Sequence, residues 1–187
     1  MPIMRLLTIQ SNKARLSLMS NGVYRPCWSW VASDSDWRAL YGRMIVAMRR
    51  RGLSTAGRPP VWAWPADPNL GGPITRDAAF FFLGGVEQAR NMCVIEFEAP
   101  ARLCLLSSYG AWQTLVYSEE KCRPSCLSGL FARRAPIAIA LLPPYDRAAP
   151  DYQVCLPMLR RDWLRNVRPL QIPWEQQLPS DTVRKFM

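Results

Sequence analysis

The chain contains no histidine. That absence removes the Ser-His-Asp and Cys-His nucleophile systems, histidine-bearing metalloprotease and zinc-deaminase sites, and nucleases that use histidine as acid and base. Any catalysis must rest on carboxylates, amides, hydroxyls, arginines or a cofactor's own reactivity. Long apolar runs are missing too. The longest, Ala135 to Leu142, includes a proline and falls far short of the roughly 20 residues that span a bilayer. The first ten residues, Met-Pro-Ile-Met-Arg-Leu-Leu-Thr-Ile-Gln, lack the apolar core and cleavage site of a secretory signal. A cytoplasmic location with no membrane partner is the expectation. No Gly-x-Gly-x-x-Gly opens a helix after a strand, which argues against a dinucleotide-binding Rossmann unit.

Acidic residues are in short supply: 14 stand against 24 basic ones, a net charge of +10. Lysine supplies only Lys13, Lys121 and Lys185, so arginine carries most of the positive charge. Such an excess attracts polyanions at long range and makes nucleic acid or another polyanion an expected partner; solvated arginines are the alternative. Of six cysteines, only Cys122 and Cys126 lie close together, without the Cys-x-x-Cys spacing or the second Cys or His pair of a zinc site. No metal is expected, and the cysteines read as small core residues.

With 187 residues, 49% of them hydrophobic, the chain is long enough to bury a real core, and one domain over 1–187 is expected. Met4–Gln10 reads as a strand, with Ser11 as the cap of a helix over 12–20 and Asn21-Gly22 as its stop. Val23-Tyr24-Arg25-Pro26 then runs extended. Residues 34–51 carry the clearest helical stripe, Trp37, Leu40, Tyr41, Met44 and Met48, closed by Gly52. A Gly/Pro-rich linker over 54–60 leads to a strand containing Trp62 and Trp64, which Pro65 stops. Met92–Glu98 and Leu103–Leu106 read as further strands. Ser107 or Ser108 is expected to cap a helix running to about Ser118. Short elements are expected at 75–83, at 137–142 and at 181–186. A helix is expected over 158–166, with Trp163 inward, and a last strand over 170–174. Helices and strands mix without repeats, which predicts an α+β fold with a mixed, mostly antiparallel sheet and flanking helices.

Several polar and aromatic residues stand out as candidate site residues. Trp62 and Trp64 occupy alternate positions of one strand and so share a face. Together they either plug a core or wall a site for a flat ligand. Glu96 and Glu98 also share a face; two neighbouring carboxylates repel, and one is expected to hold its proton more tightly unless arginines pair with them. Gln10 ends a strand directly before a helix N-terminus, where an amide can bridge hydroxyls and phosphate is favoured. Tyr24 offers a hydroxyl and Arg25 a bidentate phosphate fork. Gln171 and Glu175 are polar residues in an otherwise core-like segment, and Glu175 is a further candidate for a catalytic carboxylate.

Fragments in order, Leu-Thr-Ile-Gln (7–10), Gly-Val-Tyr-Arg (22–25), the 41–48 helix, Pro-Val-Trp-Ala-Trp (60–64), Val-Ile-Glu-Phe-Glu-Ala-Pro (94–100), Leu-Leu-Ser-Ser-Tyr-Gly-Ala-Trp (105–112) and Leu-Gln-Ile-Pro-Trp-Glu (170–175), resemble a bacterial family of unassigned function. A strand ending in a polar residue, a short helix, Gly-Val-Tyr and then an aromatic strand also looks like the opening of ADP-ribosyltransferase-type domains. That resemblance implies NAD as cofactor. It implies Trp62 or Trp64 against nicotinamide, with Gln10, Tyr24, Arg25 and Gln171 holding the dinucleotide. Glu96, Glu98 or Glu175 would then stabilise the oxocarbenium-like centre. Gln10 stands where those domains present an Arg or His, which is a departure. The alternatives are a non-catalytic nucleic-acid or nucleotide binding module and a bacterial or phage interaction protein.

Overall fold

Ser11 closes one element and starts the next. Its hydroxyl accepts the Ala14 amide hydrogen at 3.1 Å, so strand β1 (Ile3–Ser11) passes straight into helix α1 (Asn12–Asn21). Gly22 ends that helix with a left-handed backbone, φ 72°, and its amide donates to the Leu18 carbonyl at 3.0 Å. The computed structural model describes residues 2–31, 35–66, 89–108 and 152–171. After β2 (Val23–Tyr24) and a 3-10 turn (Trp28–Trp30) comes helix α2 (Ser35–Arg50), with Gly52 beyond it at φ 75°. β3 (Val61–Pro65), β4 (Met92–Pro100), a 3-10 turn (Ala101–Leu103), β5 (Leu105–Ser108), β6 (Tyr152–Leu156) and β7 (Leu159–Arg160) follow. A turn (Arg161–Trp163) and β8 (Leu164–Pro169) complete the described elements.

Six strands form one open sheet in the order β5-β6-β3-β1-β4-β8, and β2 pairs with β7 in a small second sheet. Every pairing among the described residues is antiparallel. The fold is α+β, as the mixture of elements predicted. β1 pairs with β4 over its whole length, Ile3↔Pro100 to Ser11↔Met92. Its ladder with β3 is short, Leu6↔Pro65 and Leu7↔Trp64. Beyond it the buried Thr8 hydroxyl donates to the Trp62 carbonyl at 2.5 Å and takes the place of a ladder bond.

Alternation sends the two sides of each strand into different cores. On the first face Leu6, Val61, Ala63, Ile95, Phe97 and Leu156 are buried with Leu18 of α1, Leu159 of β7 and Trp163. On the second face Leu40, Met44 and Met48 of α2 pack on Leu105, Cys155 and Trp62. Each of those three helical side chains is fully withdrawn from water, a gain of about 1.5–3 kcal/mol apiece. Further along that face Leu7, Ala89, Val94 and Leu170 gather with Ile9, Met92 and Trp64.

Three expectations change. The helix expected over 158–166 is instead β7, a turn and β8. Leu159, Trp163, Leu164 and Val167 mimic a helical stripe, but the open side of β4 needs hydrogen-bond partners and β8 supplies them. Residues 107 and 108 continue strand β5 opposite Gln153 and Tyr152, where a helix cap was expected, and Leu103 belongs to the preceding turn. β8 ends at Pro169, so Leu170 and Gln171, the described part of the strand expected over 170–174, lie beyond it, the Leu170 amide donating to the Met92 carbonyl at 3.1 Å; residues 172–174 lie outside the described residues. β6 was not expected from sequence. The expected elements at 75–83, 137–142 and 181–186, the continuation to Ser118, the Cys122/Cys126 pair and residue Glu175 lie outside the described residues.

Candidate functional site

The two tryptophans of β3 share the second face but serve different neighbours. The Trp62 indole N–H donates to the Tyr41 hydroxyl at 3.0 Å, and the two rings meet edge-on, centroids 5.8 Å apart. Tyr41 also touches Trp28 and Trp37, each at 6.4 Å, so Trp62 belongs to an aromatic cluster under α2. Burial pushes the Tyr41 hydroxyl up to about 12, against the pull of its hydrogen bond with Trp62. Trp64 is half-buried beside Leu7 and Val94.

Glu96 and Glu98 fall on that same face. Leu7 pairs with Trp64 on one side and Glu96 on the other, so Trp64, Leu7 and Glu96 form one cross-strand row. Two strand spacings put the ends of that row about 10 Å apart. Arginine pairing wins over mutual repulsion here. Arg168 Nε lies 3.4 Å from Glu96, Arg165 donates to Glu98 at 2.6 Å, and Arg5 lies 3.5 Å from Glu98. The Arg165 hydrogen bond, with the charges of Arg165 and Arg5, holds the Glu98 carboxyl below its usual range. The raised carboxylate that the sequence suggested is therefore not found at Glu98.

Gln10 lies on the opposite face, in the alternation of Leu6 and Thr8, and its amide donates to the Thr8 hydroxyl at 3.0 Å. Tyr24 packs against the first-face core, and burial, with the Cys27 charge adding, pushes its hydroxyl up to about 12. Arg25 follows Tyr24 and reaches Met158 Sδ at 3.3 Å. The sheet thus separates Gln10 and Tyr24 from Trp62, Trp64 and the two glutamates; no single hollow holds all of them. Gln171 is exposed just past β8.

A second pair of indoles was passed over in sequence: Trp28 and Trp30, one residue apart in the segment Cys27-Trp28-Ser29-Trp30. The available signal was the same Trp-x-Trp spacing in a stretch without an apolar stripe. The Trp28 indole N–H donates to the Gly57 carbonyl at 2.9 Å, and the Arg38 guanidinium carbon lies 5.9 Å from its ring centroid. Trp30 is 53% exposed, with the Lys13 ammonium 5.8 Å from its centroid. Cys27 lies beside them, its thiol held below the usual range by the Ser29 hydroxyl, with help from the Ser29 and Trp30 amides and the charge of Arg58.

The electrostatics at this end of the molecule run against helix stability. The first turn of α1 carries Lys13 and Arg15 and no acidic residue. A helix N-terminus already bears partial positive charge and prefers anions, so cations there add potential that an anionic ligand relieves. Among the described residues no group of three or more acidic or cysteine side chains could hold a metal ion. No helix among them is long and apolar enough to cross a membrane. No family model, curated protein or solved structure matches the chain.

Proposed function

We propose that the chain is a non-catalytic binding module for single-stranded nucleic acid, with Trp30 as the stacking platform and Lys13, Arg38 and Arg58 on phosphates. The carrying observation is the exposed Trp30 ring under the Lys13 ammonium at the cationic start of α1. Bases stack on such a ring whatever their identity, at about 1–3 kcal/mol each, and the net charge of +10 supplies long-range attraction. Fluorescence anisotropy with a short single-stranded RNA at low salt tests this. Trp30→Ala should weaken binding by roughly fivefold to a hundredfold, the range the stacking energy implies. Equal affinity of variant and wild type overturns it.

An NAD-using ADP-ribosyltransferase would work on the second face instead, where Trp64 and Glu96 share one row. It predicts consumption of NAD by the wild type and its loss in Glu96→Gln.

A further inference from the structure

Among the described residues two buried polar atoms lack a partner, Gln153 Nε2 and Thr55 Oγ1. A hydroxyl rotates to suit its surroundings; a strand amide is fixed by the packing around it, so Gln153 is the more informative of the two. It is 1% exposed, on β6 between β5 and β3. A buried donor left unmade is costly and calls for an explanation.

The neighbours of Gln153 point to one. On β6 it shares its face with Cys155, which packs with Leu105 and Trp62 beneath α2. On β5 it stands opposite Ser107, which is fully buried. On β3 the ladder to β6 ends at Ala63↔Val154, and Trp64, the next residue of that strand, falls on the same face as Trp62. Directly opposed side chains on one face lie within reach of each other. An amide donor is thus flanked by a hydroxyl on one side and by an indole on the other. Trp64 is only half-buried, so the row opens toward solvent at that ring.

We infer that Gln153, Ser107 and Trp64 form a binding site for a planar heterocycle with a hydrogen-bond acceptor on its edge, of the nucleobase class. The ring stacks on Trp64, its edge takes the Gln153 Nε2 hydrogen, and the Ser107 hydroxyl stands next in the row. Few polar groups in an apolar setting, placed to fix orientation, are what small-molecule sites contain. The site is separate from the surface at Trp30 and does not rest on it. Its ligand needs no phosphate, so its affinity does not depend on salt.

The test is calorimetric titration of the full chain with uridine, cytidine, adenosine and guanosine. At least one should give heat with the wild type. Gln153→Leu, which removes the orphan amide at similar volume, should weaken that nucleoside tenfold or more while its melting temperature stays equal or rises. Trp64→Leu, which keeps an apolar strand residue, should weaken it likewise, and Trp30→Ala should leave it unchanged. No heat with any of the four, which is the result if water alone satisfies Gln153, overturns the site. So does wild-type affinity in both Gln153→Leu and Trp64→Leu. Loss of RNA binding in Trp30→Ala with nucleoside binding intact separates this site from the strand-binding surface.

Discussion

Tyr41 ties helix α2 to strand β3 through one hydroxyl. It accepts the Trp62 N–H and touches three other aromatic rings, Trp28, Trp37 and Trp62. Tyr41→Phe keeps the ring contacts and takes that acceptor away, so it isolates the hydrogen bond from the packing. The expected cost is about 0.5–1.5 kcal/mol, the usual net worth of one hydrogen bond. Equilibrium urea unfolding measures it, and an unchanged midpoint refutes the role. Tyr41 and Tyr24, together with the buried thiols of Cys104 and Cys155, weaken the fold at alkaline pH. Burial raises both hydroxyls from 10.0 to about 12. The unfolded chain therefore releases these protons first as pH rises. Their stabilising contribution is complete below pH 10 and is lost as pH climbs through about 12. Unfolding midpoints measured across that window should fall, and fall less steeply in Tyr41→Phe.

At the scale of elements, α1 depends on local signals at both ends. Ser11→Ala removes the cap on the Ala14 amide and should cost about 1 kcal/mol. At Gly22 a Cβ would meet nothing within 4 Å, so Gly22→Ala should cost only the left-handed backbone strain, about 1–2 kcal/mol. Thermal unfolding of the two variants checks both figures, and a Gly22→Ala protein as stable as wild type would contradict the second. These signals are contiguous in sequence, which is why α1, α2 and the alternation of β4 were legible there. The shared face of Trp62 and Trp64 with Glu96 and Glu98 needed strand order as well, and a lone sequence does not carry it. Gln10 shows the difference: its strand was evident, but its face relative to the tryptophans depended on pairing between β1 and β3. β8 was misread because its apolar spacing suits a helix, whereas a long-range demand, the unpaired side of β4, decided its form. Gln153 was invisible because β6 takes its place only through neighbours distant in sequence, β3 and β5.

For the whole molecule, charge and aromatic surface make separable contributions, and Lys13 joins them. Lys13→Gln removes a cation over Trp30, a contact worth about 0.5–1 kcal/mol at an exposed site. It also removes a like charge from the positive end of α1, which returns about 0.3–1 kcal/mol. The two effects oppose each other at similar size, so folding stability should stay within about 1 kcal/mol of wild type. Binding of single-stranded RNA has no such compensation. Each phosphate contact on a single strand contributes about −0.7 to the slope of log affinity against log salt. Lys13→Gln should therefore weaken binding at low salt and flatten the slope by about 0.7, while Trp30→Ala weakens binding and leaves the slope alone. Titrations of both variants across a salt series separate the roles. If Lys13→Gln keeps the wild-type slope, the positive charge at the start of α1 does not touch the phosphate backbone, and the surface around Trp30 is not where a strand binds.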